Sequence, residues 1–585
     1  MPMRDWRQTI WARLGDTLAR PQVYHSIAVA VFLAACVPSL YVWIRGETLL
    51  APLTAFGLQR WSEFPDSTAL LEGATPELRA AFPQRFEALV RRIIPILTVV
   101  GVGLGAGGAL MCLWLGSFLR RHASGGAASR NSPATTVVRG APVSWGAALA
   151  TVAGLLAHLP YLTHSFDRDE SWAALHLSRS WLAWASTWQG WEVHMGGELL
   201  GGLAYALVGF NDVIMRLPSA VASAIGLGIV FRWTERRYGA LPGWLTVGVL
   251  CALPLWAEQT AHLRGYGLLF LAGAWNLAVL WDLLDGRSPG GESSVLASLF
   301  ASLIIGGFAH VFFLFYGVAV LVLVAWRART TGDPVAGAGL AWGVIALAVP
   351  AVLYLPGLPA TVYQTIELGQ IEPAGTFLAK LIPLLVGELG LGDTRIASAA
   401  AAIFLSCWIA GLTALSSTDR RRILIVLTMA IGVPLLMRPV FVGSRFFIHL
   451  LPLAFVATLP IAHGLARLRP AGIRYAATAL ALAGLWAIPQ PYRRLPSVNL
   501  RDAIAELARQ AQPADRIAID NACVSARVYV PDSLRPVYVN MGRPLTVDAD
   551  VLVSCRGRAD QWPGYAPVAV VPGENISVVI YRRDS

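Results

Sequence analysis

The run FDRDESW, residues 166–172, sets Asp167, Asp169 and Glu170 directly after an apolar stretch and ahead of Trp172, Trp181, Trp184, Trp188 and Trp191. A carboxylate held at a membrane surface can take the proton from a hydroxyl nucleophile. Asp169 is therefore a general-base candidate, with Glu170 beside it. The plainer reading of the same residues is a solvated loop followed by a tryptophan belt in the headgroup layer. Further polar residues fall at the ends of apolar runs: His194, Glu258, Gln259, His262, Arg264, His310, Glu367, Glu372, Lys380, Arg438 and Arg445. Charge near a bilayer is expensive and marks function first. A transporter concentrates such charges near the midplane, in broken helices; these gather at one interface. No His/Cys/Asp cluster has metal-ligand spacing, and no Walker loop, dinucleotide fingerprint or G-x-S-x-G elbow stands in a suitable context. The sequence requires no cofactor and does not exclude a divalent metal ion.

Elements that hold polar residues at one interface must themselves cross or line a bilayer. Of the 585 residues, 56% are hydrophobic and 14% charged, and the mean hydropathy is +0.57. A soluble chain carries about a quarter charged residues. Apolar runs of roughly 15–25 residues match a hydrocarbon core about 30 Å thick. The composition predicts an α-helical multi-pass membrane protein and excludes disorder, a disulfide-rich secreted scaffold and a repeat solenoid. The net charge of +11 comes almost wholly from arginine, Lys380 being the only lysine. The arginines flank apolar runs instead of forming one stripe, which argues for positive-inside topology and against nucleic-acid binding.

Arginine placement orders the spans. Arg4, Arg7, Arg13 and Arg20 put the N terminus in the cytoplasm, ahead of spans near 22–44 and 93–118 and a flexible linker at 123–141. A span near 142–163 then sets 166–172 outside. Arg232, Arg236 and Arg237 after the run 213–231 are cytoplasmic, so 195–210 is expected to be an interfacial helix that does not cross. Arg216, in RLPSA, is read as structural, at the cytoplasmic edge. Further spans fall near 241–257, 265–284, 294–309, 311–326, 337–357, 395–416, 422–437, 446–466 and 473–490, about thirteen in all. Three regions follow: 1–141, an N-terminal hairpin and linker; 142–496, the transmembrane core; and 497–585, a soluble α/β domain outside the membrane. In that last region an amphipathic helix, 500–510, leads to the β-type runs RIAID, VYVN, VLVS and SVVIY. Cys36, Cys112, Cys251 and Cys407 read as small buried hydrophobes. Cys523 and Cys555 are joined if the domain faces an oxidising compartment, and are two separate buried thiols otherwise.

Several pieces together resemble the GT-C glycosyltransferases: DRDESW (167–172), WEVHMGGELL (191–200), GFNDVIMRLPSAV (209–221), EQTAHLRGYGLLFL (258–271), GFAHVFFL (307–314) and SRFFIHLLPL (444–453). Their order is similar to that of the polyprenyl-phosphate-sugar-dependent branch, which includes aminoarabinose transferases, protein O-mannosyltransferases and RgtA/B/C/D-like enzymes. The chain departs from that pattern where Met195, Gly196 and Gly197 follow His194 in place of Pro-Pro, and where Phe446 follows Arg445 in place of Tyr. The resemblance implies a GT-C-like fold with periplasmic interfacial helices in a bacterial inner (plasma) membrane. It also implies an inverting transfer from a polyprenyl-phosphate sugar donor to an envelope acceptor on the outer face.

By motif position, Asp169 is then the base and Glu170 positions the acceptor or holds Asp169. Arg264 and Arg445, with Lys380 as a third, become the donor-phosphate ligands, a task that suits a permanently charged planar fork. The resemblance makes His194, Gln259, Tyr266 and His310 the substrate-binding candidates. For each cation the plainer alternative is an interfacial anchor, and for each histidine a packing role. Two other functions are expected alternatives: a secondary transporter or lipid flippase, and a non-catalytic membrane assembly protein.

Overall fold

The computed structural model describes chiefly residues 145–166, 194–287, 291–311, 313–354, 408–436, 454–468 and, with breaks, 500–583; Glu170, Ala173 and Ala174 are described between the first two segments. Apart from isolated positions, the expected spans at 22–44, 93–118 and 473–490 and the linker lie outside the described residues, as do the five tryptophans of 172–191.

In hydrocarbon a segment must satisfy its own backbone, and a helix does so. Among the described residues six helices are long and apolar enough to cross a membrane: α1 (Trp145–Leu162), α3 (Asp212–Tyr238), α6 (Tyr266–Leu284), α7 (Glu292–Ala309), α8 (Phe313–Thr331) and α9 (Pro334–Tyr354). Between them run α2 (Met195–Val208), α4 (Ala240–Ala252) and α5 (Pro254–Ala261). After them come α10 (Ser417–Leu436) and α11 (Ala454–Arg467). The expected single span at 241–257 is in fact α4 and α5. Pro254 has no amide proton and restricts the residue before it, so Leu253 turns extended (φ −83°, ψ 102°) and the chain restarts.

Helix α3 lies at the centre, packed against α1, α2, α4 and α6. Phe231, Trp256, Phe270, Trp281 and Phe313 fill the core between these helices and α7–α8. Outer faces carry apolar side chains at helical spacing: Leu149, Val152, Leu156 and Leu159 on α1, and Val318, Val322 and Trp326 on α8. Exposed apolar stripes of this kind are surfaces for lipid.

One end of the bundle is tied by charge. Arg237 donates to Asp285 (2.7 Å) and Asp419 (2.9 Å), and Arg422 donates to Asp285 (2.6 Å). Tyr238 and Trp281 also donate to Asp419, at 3.0 and 3.2 Å. Arginines of α3 and α10, expected on one face of the membrane, thus share carboxylates with α6.

The C-terminal region is a helix on a sheet. Helix α12 (Leu500–Gln510) buries Leu500, Ala503, Ile504 and Leu507, a single helical face. The strands are β1 (Ile517–Asp520), β2 (Val537–Val539), β3 (Val551–Ser554), β4 (Tyr565–Val571) and β5 (Val578–Arg583), in the order β2-β1-β3-β5-β4. β1 runs parallel to β2 and β3, and β5 is antiparallel to β3 and β4. Four strands cover the runs read from sequence. The fifth, β4, contains Pro567, which hides it from pattern reading; as an edge strand with an irregular register between Pro567 and Ala569 it tolerates the missing donor. Cys523 and Cys555 form a disulfide within this domain's core, their Cα atoms 5.6 Å apart.

Candidate active site

The site assembles at the end of the bundle opposite the Arg237 cluster, where α1 ends, α3 begins, and α5 turns into α6. Arg216 is its organiser. From the first turns of α3 its Nε donates to Glu170 Oε1 at 2.8 Å, and its Nη2 reaches Glu170 Oε2. The same guanidinium collects backbone carbonyls where α1 ends: His164 (2.5 Å), Tyr161 (3.3 Å), Ser165 (3.3 Å) and Leu162 (3.4 Å). A helix leaves its last carbonyls without partners, and a cation there meets both them and the negative end of the dipole. The ring of Phe166 lies 4.8 Å from the guanidinium carbon, a cation–π contact.

The structural role expected of Arg216 fits this geometry, but a shared edge with Arg236 and Arg237 does not. Arg216 stands about twenty residues before Arg236 on one helix, roughly 30 Å away, or one hydrocarbon thickness. It therefore belongs to the opposite end of α3 from Arg236 and Arg237. Glu170 neutralises this arginine locally. Its distance from Arg232, Arg236 and Arg237 along one apolar run was the available signal.

Glu170 is fully buried, and its Oε1 also accepts the Leu263 amide at 2.8 Å. Burial alone would raise its carboxyl; the Arg216 guanidinium and these hydrogen bonds outweigh that and hold it well below the usual carboxylate range. Both oxygens are thus committed to holding structure together. Through them Glu170 is tied to the first turns of α3 and to the turn after α5.

Leu263 opens the turn that places the basic and aromatic side chains. His262 leaves α5 with extended backbone (φ −62°, ψ 147°) and Gly265 adopts the left-handed conformation (φ 78°, ψ 15°) before Tyr266 starts α6. A Cβ on Gly265 would stand 2.6 Å from Gly197 Cα and 2.8 Å from Gly197 N, so α2 rests backbone-to-backbone on this turn. That contact brings His194 to Tyr266, with ring centroids 5.0 Å apart, and to His310, 4.5 Å away. Tyr266 and His310 are 5.9 Å apart, and the Arg264 guanidinium carbon lies 5.7 Å from the Tyr266 ring centre. The Tyr266 hydroxyl and His194 Nε2 are 3.5 Å apart, while the His194 amide donates to Glu198 at 3.3 Å. Below the turn, Ser219 and Ser223 of α3 donate to Thr260, and Ser219 accepts the Gly267 amide at 3.0 Å.

Four residues singled out from sequence, His194, Arg264, Tyr266 and His310, therefore form one buried cluster. Gln259 is buried on α5, where its carbonyl accepts the His262 amide. Asp169, Lys380 and Arg445 lie outside the described residues. Sequence reading missed Glu198 and the organising role of Arg216. Among the described residues no three His, Cys, Asp or Glu side chains group as metal ligands.

Gly265→Ala is expected to be destabilising twice over, by about 1–2 kcal/mol for the left-handed backbone and further by the clash with Gly197. Gly332, also at positive φ (66°) but with open space at its Cβ, supplies the control, since Gly332→Ala bears only the backbone cost. A lower unfolding temperature for Gly265→Ala than for Gly332→Ala is the expected result; equal values would show that the contact with α2 relaxes freely.

No family model matches this sequence, and no curated protein does. Among solved structures, the chain is similar to the crystal structure of ArnT from Cupriavidus metallidurans bound to undecaprenyl phosphate. That match has 15% identity and a TM-score of 0.38 over 75% of this chain and 98% of that one. The apo state of the same protein matches at 15% identity and a TM-score of 0.38, over 74% and 97% of the two chains.

Proposed function

We propose that the protein is an inverting membrane glycosyltransferase that moves a sugar from a polyprenyl phosphate to a glycolipid, polysaccharide or protein acceptor on the external face of the membrane. The observation that carries the reading is the buried Glu170–Arg216 pair. It fixes Glu170 against the turn that bears Arg264 and Tyr266, with His194 and His310 alongside. The order of the GT-C-like sequence motifs supports the same reading.

In this reading Asp169 takes the proton from an acceptor hydroxyl as its oxygen attacks the anomeric carbon. The bond from that carbon to the phosphate oxygen breaks, and polyprenyl phosphate leaves with the bonding electrons. The phosphate is already a competent leaving group, so no second carboxylic acid is needed to protonate it. Arg264 offsets its growing charge, joined by Arg445 and Lys380 from the remainder of the core. One displacement inverts the anomeric centre. The N terminus is cytoplasmic and the α/β domain external, a placement supported by its disulfide, since such bonds persist in oxidising compartments.

Purified protein in lipid vesicles, supplied with a panel of polyprenyl-phosphate sugars and an envelope extract as acceptor, tests the proposal. Release of polyprenyl phosphate, with an inverted glycosidic linkage by NMR, is the expected outcome. Failure to consume any donor, while the vesicles instead move lipid between leaflets, would replace it with the flippase reading.

A further inference from the structure

The chain just after α1 has a second anchor at Phe166, and it comes from the C-terminal domain. The Tyr529 hydroxyl accepts the Phe166 amide at 2.7 Å and donates to Asp212 Oδ2 at 2.9 Å. Arg501, at the start of α12, pairs with the same Asp212 oxygen. Asp212 is buried in the first turn of α3, one turn before Arg216. The Tyr529 ring packs 6.4 Å from Phe166 and 5.8 Å from Phe210, and Phe166 is the ring on which the Arg216 guanidinium rests. A continuous set of contacts therefore runs from Tyr529 through Phe166 and Arg216 to Glu170.

The segment that bears Tyr529 is itself held. The Tyr529 amide donates to the Ala526 carbonyl at 2.9 Å, and Cys523, six residues before Tyr529, is bonded to Cys555 just past β3. Burial and the neighbouring Asp212 carboxylate raise the Tyr529 phenol above its usual value, so it stays a donor throughout the physiological range.

We infer that Tyr529 and Asp212 are positioning residues, through which the C-terminal domain holds Phe166 and, by way of Arg216, Glu170. The catalytic consequence rests on the transferase reading above; the anchoring itself does not.

Tyr529→Phe is the direct test, because it removes the hydroxyl and keeps the ring contacts. In the full chain in nanodiscs, the Phe166 amide is expected to lose hydrogen-exchange protection by about tenfold or more. Turnover should fall by a similar factor with the KM for donor unchanged, since the donor-phosphate ligands are untouched. Arg501→Gln, at a half-exposed side chain, should give a smaller change in the same direction. Unchanged protection at Phe166 would overturn the inference, as would lost protection with full turnover. If the wild type consumes no donor, the transferase reading fails while the exchange measurement still decides whether the domain holds Phe166.

Discussion

Arg216→Ala is expected to destabilise the protein by about 3–5 kcal/mol, the cost of leaving one partner of a buried ion pair without the other. Glu170 would remain fully buried without the guanidinium that meets both its oxygens, and the carbonyls where α1 ends would lose that donor. Arg216→Lys should recover part of the loss, because it restores charge without the planar fork that meets both carboxylate oxygens. Glu170→Gln should cost less than Arg216→Ala, since the amide oxygen can still accept. Thermal unfolding in detergent ranks the three variants; a loss under about 1 kcal/mol for Arg216→Ala, the range of exposed pairs, would mean the pair is not the organiser described.

The same pair fixes a pH dependence. The Glu170 pKa is lowered on folding, so its stabilisation is complete above the unfolded value of about 4.3 and is lost only as pH falls below that, toward the lowered folded value. An activity limb anywhere above about pH 5 must therefore come from another group.

Asp169→Asn carries the second large effect. Asparagine keeps the shape but cannot take a proton, so turnover should fall by about 10²- to 10⁴-fold, while expression and unfolding temperature stay at wild-type values. Together, Asp169→Asn and Arg216→Ala separate chemistry from architecture. The first should leave a folded, inactive protein and the second a protein that unfolds easily. Full transfer by Asp169→Asn would move the base elsewhere.

Much of the helical framework is legible in the sequence because the bilayer permits so little else. Runs near 265–284, 294–309 and 311–326 became α6, α7 and α8 with ends shifted by a few residues. The break at Pro254 was readable from proline chemistry but hidden inside an apolar run. Pairings across the fold were not legible at all. Glu170 and Arg216 lie 46 residues apart and Tyr529 and Asp212 lie 317 apart, and no local periodicity reports such partners. Polar placement did mark His194, Arg264 and His310 at the ends of apolar runs, and the family resemblance added Tyr266. Neither reported that a backbone contact between Gly197 and Gly265 is what lets them meet.

The central claim is that this chain consumes a polyprenyl-phosphate sugar through Asp169. Mass-spectrometric lipid profiling of cells lacking the protein, complemented by wild type or by Asp169→Asn, tests it most directly. One polyprenyl-phosphate sugar should accumulate in the null and in the Asp169→Asn strain and return to its normal level with wild type. Levels of every such lipid that stay the same in all three strains would contradict the account and turn attention to the transporter and assembly readings.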